Sequence, residues 1–358
     1  MSYRFTRTKL LGLVVAAGLI ASACGGGSTA SPTPSTAAAS ATVAPGTLPK
    51  PELTTIRIGI SAPTEPVQFA ETLAERLGYY KELGLTTVTV TGFEGDGKAL
   101  QALVAGQLDF FVGGASTAIS SQLTDTPVKV LSINSVLNTD GLYCKSTIKT
   151  KEDVRGKAIA ISTFGGTSHG SALIAVGLLG FTTKDVVIKE VGGEGTRIAA
   201  LRGGSIDCAM IGLQQDDTLK AAGFNLIVDV TKGGQWGRSG LMARTDFIQK
   251  NPNTVLAVVA GAVRAQNYMW TNNAEAATKF AEWTQQKPAD AAANVKAFLD
   301  YGLRSMIFTE EAFKAPQQVL ASVNPPVATV DLKKAYDLSY LQKLVDNGYY
   351  AKYSIPTK

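Results

Sequence analysis

Two stretches, "ALVAGQLD" (Ala102–Asp109) and "ALRGGSID" (Ala200–Asp207), spell one phrase twice: small, Leu, any, small, Gly, any, aliphatic, Asp. Each follows helix-forming residues and runs on into an apolar segment that reaches a Gly, "FFVGG" in the first copy and "CAMIG" in the second. The physical reading is a helix closed by a Gly able to take positive φ, then a short buried strand with an Asp near its start. Asp109 and Asp207 are therefore read as structural.

Working outward from the first copy, "TTIRIGIS" (54–61), "TTVTVTGF" (86–93) and "VKVLSINSV" (128–136) read as strands with helix-patterned segments between them. Around the second copy the strands are "DVRGKAIAIST" (153–163), "DVVIKEVGG" (185–193) and "FNLIVDV" (224–230). The phrase falls at the same step of both series, second helix then third strand, which predicts two α/β lobes of like topology. Strands alternating with helices predict parallel sheets covered on both faces. From Arg244 onward every segment is helix-patterned. Helices without a sheet of their own must bury their apolar faces on a folded body, so they are assigned to the first lobe. The chain then crosses between lobes twice, near "NTDGLYCKS" (138–146) and "GGQWGRSGLMAR" (233–244). Lobe one is expected at 54–141 and 243–358, and lobe two at 142–242.

The front of the chain is different in kind. Arg4, Arg7 and Lys9 precede "LLGLVVAAGLI" (10–20), an apolar run too short to span a bilayer, so residues 1–23 read as an export signal. "ASACGGG" resembles the lipobox of bacterial lipoproteins, with Ala21 where Leu is usual. That resemblance implies cleavage before Cys24 and acylation of Cys24, hence a lipid anchor on the extracytoplasmic face of the cell membrane. Residues 24–53 hold no acid before Glu52 and almost nothing large and apolar, so they are expected to be a disordered tether.

Charge and composition exclude several functions. Removing Arg4, Arg7 and Lys9 leaves 31 basic residues against 29 acidic, a net +2, which is no nucleic-acid footprint. His169 is the single histidine, and no close cluster of Cys or carboxylates has ligand spacing, so neither a metal nor a cofactor is expected. Cys144 and Cys208 lie far apart in apolar surroundings; their spacing leaves a disulfide and two buried thiols equally open.

Three phrases carry a more specific resemblance: "LGYYKELGL" (77–85), "LQALVAGQLDF" (100–110) and "KEDVRGKAIAIST" (151–163). Together with the interrupted first lobe, they resemble the type II periplasmic solute-binding proteins, in the branch that serves nitrate, sulfonate, taurine and thiamine precursors. The resemblance implies a monomeric binding component of an ABC importer, without catalysis, working with permease and ATPase subunits. Thiamine-pyrimidine synthases share that fold, but they resemble a chain with a Cys-rich motif and further His that are lacking here.

In such a fold the solute sits where the carboxyl ends of the strands meet across the gap. After the first strand this places Ser61, Glu65, Gln68 and Phe69. After the third come Gly114, Ser116 and Thr117, and at the opening of lobe two Thr163, Gly166, Thr167 and Ser168, a donor-rich helix start. Gln214 and Gln215 follow the second copy of the phrase and are expected to face Ser116 and Thr117. At the return crossing, Trp236 either stacks on a flat ligand or buries the crossing, and Arg238 counters an anion. "GFEGDGK" (92–98) reads as a turn. With Arg238 and Arg197 as the available cations against several aromatics and amides, the expected solute is a heteroaromatic vitamin such as riboflavin or a thiamine-type pyrimidine. A nitrate, sulfonate or taurine-type anion is the alternative.

Overall fold

The computed structural model describes residues 44–357. The expected signal segment, Cys24 and the tether as far as residue 43 lie outside the described residues. Residues 44–53, expected to belong to the tether, instead dock on the helical region. The Gly46 amide donates to the Asn347 carbonyl, and the Glu52 carboxylate accepts from the amides of Asn253 and Thr254. Glu52 thereby caps helix Pro252–Thr271, whose own preceding residue Asn251 makes no side-chain cap. Burial opposes the Glu52 charge, and those amide bonds outweigh it, holding the carboxyl below its ordinary range.

Among the described residues, ten strands form two sheets of five. They are β1 (Thr55–Ile60), β2 (Thr87–Gly92), β3 (Phe110–Gly113), β4 (Val128–Leu137), β5 (Asp140–Cys144), β6 (Ala158–Ile161), β7 (Val187–Glu190), β8 (Cys208–Gly212), β9 (Asn225–Asp229) and β10 (Gln235–Arg244). The orders are β2-β1-β3-β10-β4 and β7-β6-β8-β5-β9. Both sheets place the first three strands of their series side by side and parallel, then insert one antiparallel strand in fourth place. That strand is the one on which the chain arrives from the other sheet: β5 on the outward crossing, β10 on the return. The expectation of purely parallel sheets is corrected accordingly. The boundary of lobe two also moves, because residues 235–242 pair with β3 and β4 in the first sheet.

β10 escapes a strand pattern because it is built around glycines. A Cβ on Gly240 would stand 2.2 Å from the Ser132 carbonyl, so the close approach of β10 to β4 requires Gly there. In the second sheet, period-two alternation separates two cores. Leu142, Ile159, Ile161 and Met210 face helix Thr167–Leu178, while Tyr143, Ala160, Ala209 and Ile211 join Leu201 and Leu219 on the other face. Cys144 and Cys208 stand opposite each other on β5 and β8 and form a disulfide, which resolves the alternative left open by spacing.

The doubled Asp does the same work twice. Asp109 accepts from the Arg57 amide at 2.8 Å and from the Arg57 guanidinium, and Asp207 accepts from the Ala158 amide at 3.0 Å. Each ties the start of one parallel strand to its neighbour. The C-terminal helices share one core with the first sheet: Tyr80 packs on Gly261 of helix Pro252–Thr271, and Phe69 meets Phe280 edge-on at 5.1 Å. Among the described residues no helix is long and apolar enough to cross a membrane, and no group of three or more His, Cys, Asp or Glu is placed to hold a metal ion.

Candidate functional site

The repeat extends further upstream than its eight-residue phrase. "GDGKALQALVAGQLD" aligns with "GEGTRIAALRGGSID", so Asp96 and Glu194 hold equivalent positions in the first turns of helices Asp96–Val104 and Glu194–Arg202. Both helices follow the second strand of their series and begin at its carboxyl end, facing the gap between the sheets.

A cavity of about 250 Å³ lies in that gap. The first sheet contributes the loop after β1, with Ser61, Glu65 and Gln68, and the loop after β2, with Phe93 and Asp96. The second contributes Ser162, Thr167 and Ser168 after β6 and Gly193–Arg197 after β7; Asp140 of β5 and Arg238 of β10 close the floor. Gln68 organises its loop from within, its Oε1 accepting from the Ala62 amide at 2.8 Å and its Nε2 donating to Ser61 Oγ at 3.1 Å.

Charge dominates the lining. Arg238 Nη2 donates to Glu65 Oε2 at 2.6 Å and to Asp140 Oδ1 at 3.1 Å, while its Nε is buried without a partner. Burial works against the Arg238 charge, and Asp140 and Glu65 outweigh it, so the guanidinium is held above its ordinary value. Burial pushes the Glu65 carboxyl up to about 8, against the pull of Arg238 and with the help of the Glu194 and Asp140 charges. Arg197 donates to the carbonyls of Met210 and Gly192, both at 2.8 Å, and burial lowers its pKa. Glu194 accepts from the Gly212 amide at 2.8 Å and from Gln214 Nε2 at 3.3 Å, and burial raises its carboxyl. Counting Glu94, five carboxylates and two guanidiniums surround the space.

Of the residues proposed from sequence, Ser61, Glu65, Gln68, Thr167, Ser168 and Arg238 line the cavity. Others lie beside it where the lobes touch. Thr117 Oγ1 donates to Asp96, Thr163 Oγ1 accepts from the Gly97 amide, and Gly114 and Gly166 lie within van der Waals reach of Thr167 and Asp96 respectively. Ser116 is fully buried, Gln214 bonds to Glu194, and Gln215 is half-buried outside the lining. Phe69 and Trp236 are corrected. Phe69 belongs to the core of the first lobe, where it meets Phe280, and Trp236 is fully buried against Gly170 at the return crossing, the second of its two expected roles. Among the described residues, Phe93 is then the one aromatic in the lining. Asp96, Asp140 and Glu194 were missed, and "GFEGDGK", read as a turn, supplies the cavity with Phe93 to Asp96. The signal that finds Asp96 and Glu194 is the full length of the repeat.

Residues 66–276 match the NMT1/THI5-like family. The chain belongs to that family. It is 28% identical over 259 residues to a taurine-binding periplasmic protein of Escherichia coli K12, covering 70% of this chain and 76% of that one. It is 26% identical over 266 residues to the riboflavin-binding protein RibY of Chloroflexus aurantiacus, 72% of each. A solved structure from Bordetella bronchiseptica RB50 superposes with a TM-score of 0.74 at 24% identity, over 86% of this chain and 100% of that chain. This NMT1/THI5-like chain accordingly has the two-lobe periplasmic binding-protein fold. The taurine-binding relative is a periplasmic protein.

Proposed function

We propose that the chain captures a small zwitterion, an amine joined to a strong acid as in taurine, and delivers it to the permease and ATPase of an ABC importer. The observation that carries this reading is the mixed charge of the cavity. Arg197 and Arg238 offer a place for an acidic group, and Glu65 and Glu194 offer one for an ammonium. A bare anion such as nitrate would leave the surplus of carboxylates uncompensated in a buried space, at a cost that a ligand cation removes. The size agrees, since about 250 Å³ is below the roughly 300–1,000 Å³ of pockets for larger ligands. The taurine-binding relative supports the same class.

The heteroaromatic reading keeps Gln68 in the lining and the riboflavin-binding relative, and has less to stand on elsewhere. Trp236 and Phe69 are committed to packing, and Gln214 is committed to Glu194. The lipid anchor at Cys24 remains part of the proposal, as the device that keeps the two lobes near the permease.

Calorimetric titration of the mature protein with taurine, ethanesulfonate, nitrate and riboflavin tests the reading. Taurine is expected to bind, and ethanesulfonate, which lacks the amine, at least about tenfold more weakly. Equal affinity for the two, or riboflavin as the tightest ligand, overturns it.

A further inference from the structure

At one contact between the lobes, three donors converge on a single carboxylate oxygen. Asp96 Oδ2 accepts from the Thr167 amide at 2.9 Å, from Thr167 Oγ1 at 2.7 Å and from Thr117 Oγ1 at 3.1 Å, all buried. Asp96 and Thr117 belong to the first lobe; Thr167 opens helix Thr167–Leu178 of the second. The repeat shows that this is a departure. Glu194, the counterpart of Asp96, spends its carboxylate on Gly212 and Gln214 of its own lobe, and Gly212 is the counterpart of Gly114. Asp96 is one methylene shorter and turns across the gap instead.

We infer that Asp96 is a built-in anion which occupies the oxyanion position at the start of helix Thr167–Leu178 and so determines which solutes the cleft accepts. The inference deepens the reading of the cleft as a site for a small zwitterion. Two hydroxyls, one amide and the positive end of a twelve-residue helix converge there, which is the equipment for holding an acidic oxygen. The Ser116 hydroxyl, fully buried and without a partner, lies on the same side of Gly114 as Thr167 Oγ1. With the chain's own carboxylate in place, an incoming sulfonate or phosphate finds these donors taken and like charge in its way. Its acidic group is directed to Arg197 and Arg238, beside the acids that receive its amine.

Removing the carboxylate should convert the position into an oxyanion site. Inorganic sulfate is the probe, titrated into the mature protein and into Asp96→Ala and Asp96→Ser, with thermal melting as a parallel readout of folding and binding. The unaltered protein is expected to show no saturable calorimetric binding of sulfate and only the gradual rise in Tm that an excluded salt gives any protein, whereas either folded variant binds sulfate at least about tenfold more tightly than the parent. A folded variant without that gain overturns the inference. So does an unaltered protein that binds sulfate saturably, which needs no variant to be observed. Because the probe is sulfate, failure of taurine to bind would sink the zwitterion reading and leave this one standing.

Discussion

Glu71 sits in helix Ala70–Arg76 with no exposed surface, and neither carboxylate oxygen has a hydrogen-bond partner. Burial pushes its carboxyl up to about 8. In the unfolded chain the same group titrates near about 4.3. Between those values the folded protein holds a proton that the unfolded chain has released, so stability should fall as pH rises from about 4.5 to about 8 and level off above. Holding that proton through one pH unit costs about 1.4 kcal/mol, so the loss across the window is several kcal/mol at most. Urea unfolding at a series of pH values, in the parent and in Glu71→Gln, isolates this group from all others. The variant is expected to show a shallower decline across that window, with Glu65 and Glu194 supplying the remainder, and parallel profiles would show that Glu71 is not held neutral. Single residues of this kind are nearly invisible in sequence: Glu71 has the spacing of an ordinary first-turn acid, and only the helices packed over it make it a buried one.

At the scale of elements, the disulfide joins β5, which the chain enters on leaving the first sheet, to β8, which follows the second copy of the repeat. It closes a loop of 64 residues that contains β6, β7 and the two helices between β6 and β8. Replacing both cysteines by Ala should destabilise the protein by about 2–4 kcal/mol, measured by urea unfolding, with the solute affinity of the folded fraction retained. A loss below about 0.5 kcal/mol would mean that β-pairing alone holds β5 in register. The strands that carried parallel βαβ patterns were legible because β-branched residues alternate within them and glycines punctuate the joints. β5 and β10 were not, because their residues answer to close backbone approach and to the crossing between sheets rather than to a hydrophobic period. The cleft was half legible for a related reason. Ser61, Glu65 and Gln68 follow β1, and Thr167 and Ser168 open the helix after β6, places that follow from strand order; Arg238 was found as a cation at the return crossing. Asp140 lies on β5, which carried no strand pattern, and Glu194 shows only when the repeat is read over its full length.

At the scale of the molecule, the cavity is lined by both lobes, and the two come close together at Gly114. Its φ of −82° is open to any residue, so Gly is not required there for the backbone. The requirement comes from across the gap, because a Cβ on residue 114 would stand 2.0 Å from Thr167 Oγ1 and 3.2 Å from Thr167 Cβ. Gly114→Ala should therefore act as a wedge, leaving each lobe folded while disfavouring the closed arrangement. Small-angle scattering is expected to give a larger radius of gyration for the solute-free variant than for the parent, with Tm changed little. Solute affinity should drop about tenfold or more, since part of the binding free energy must now force the lobes together. Adding Thr167→Gly removes the obstructing atoms and should restore the compact form. If Gly114→Ala scatters like the parent and binds as tightly, Thr167 yields without cost, and closure is governed by the floor of the cleft, where Arg238 links Glu65 to Asp140 across the two sheets.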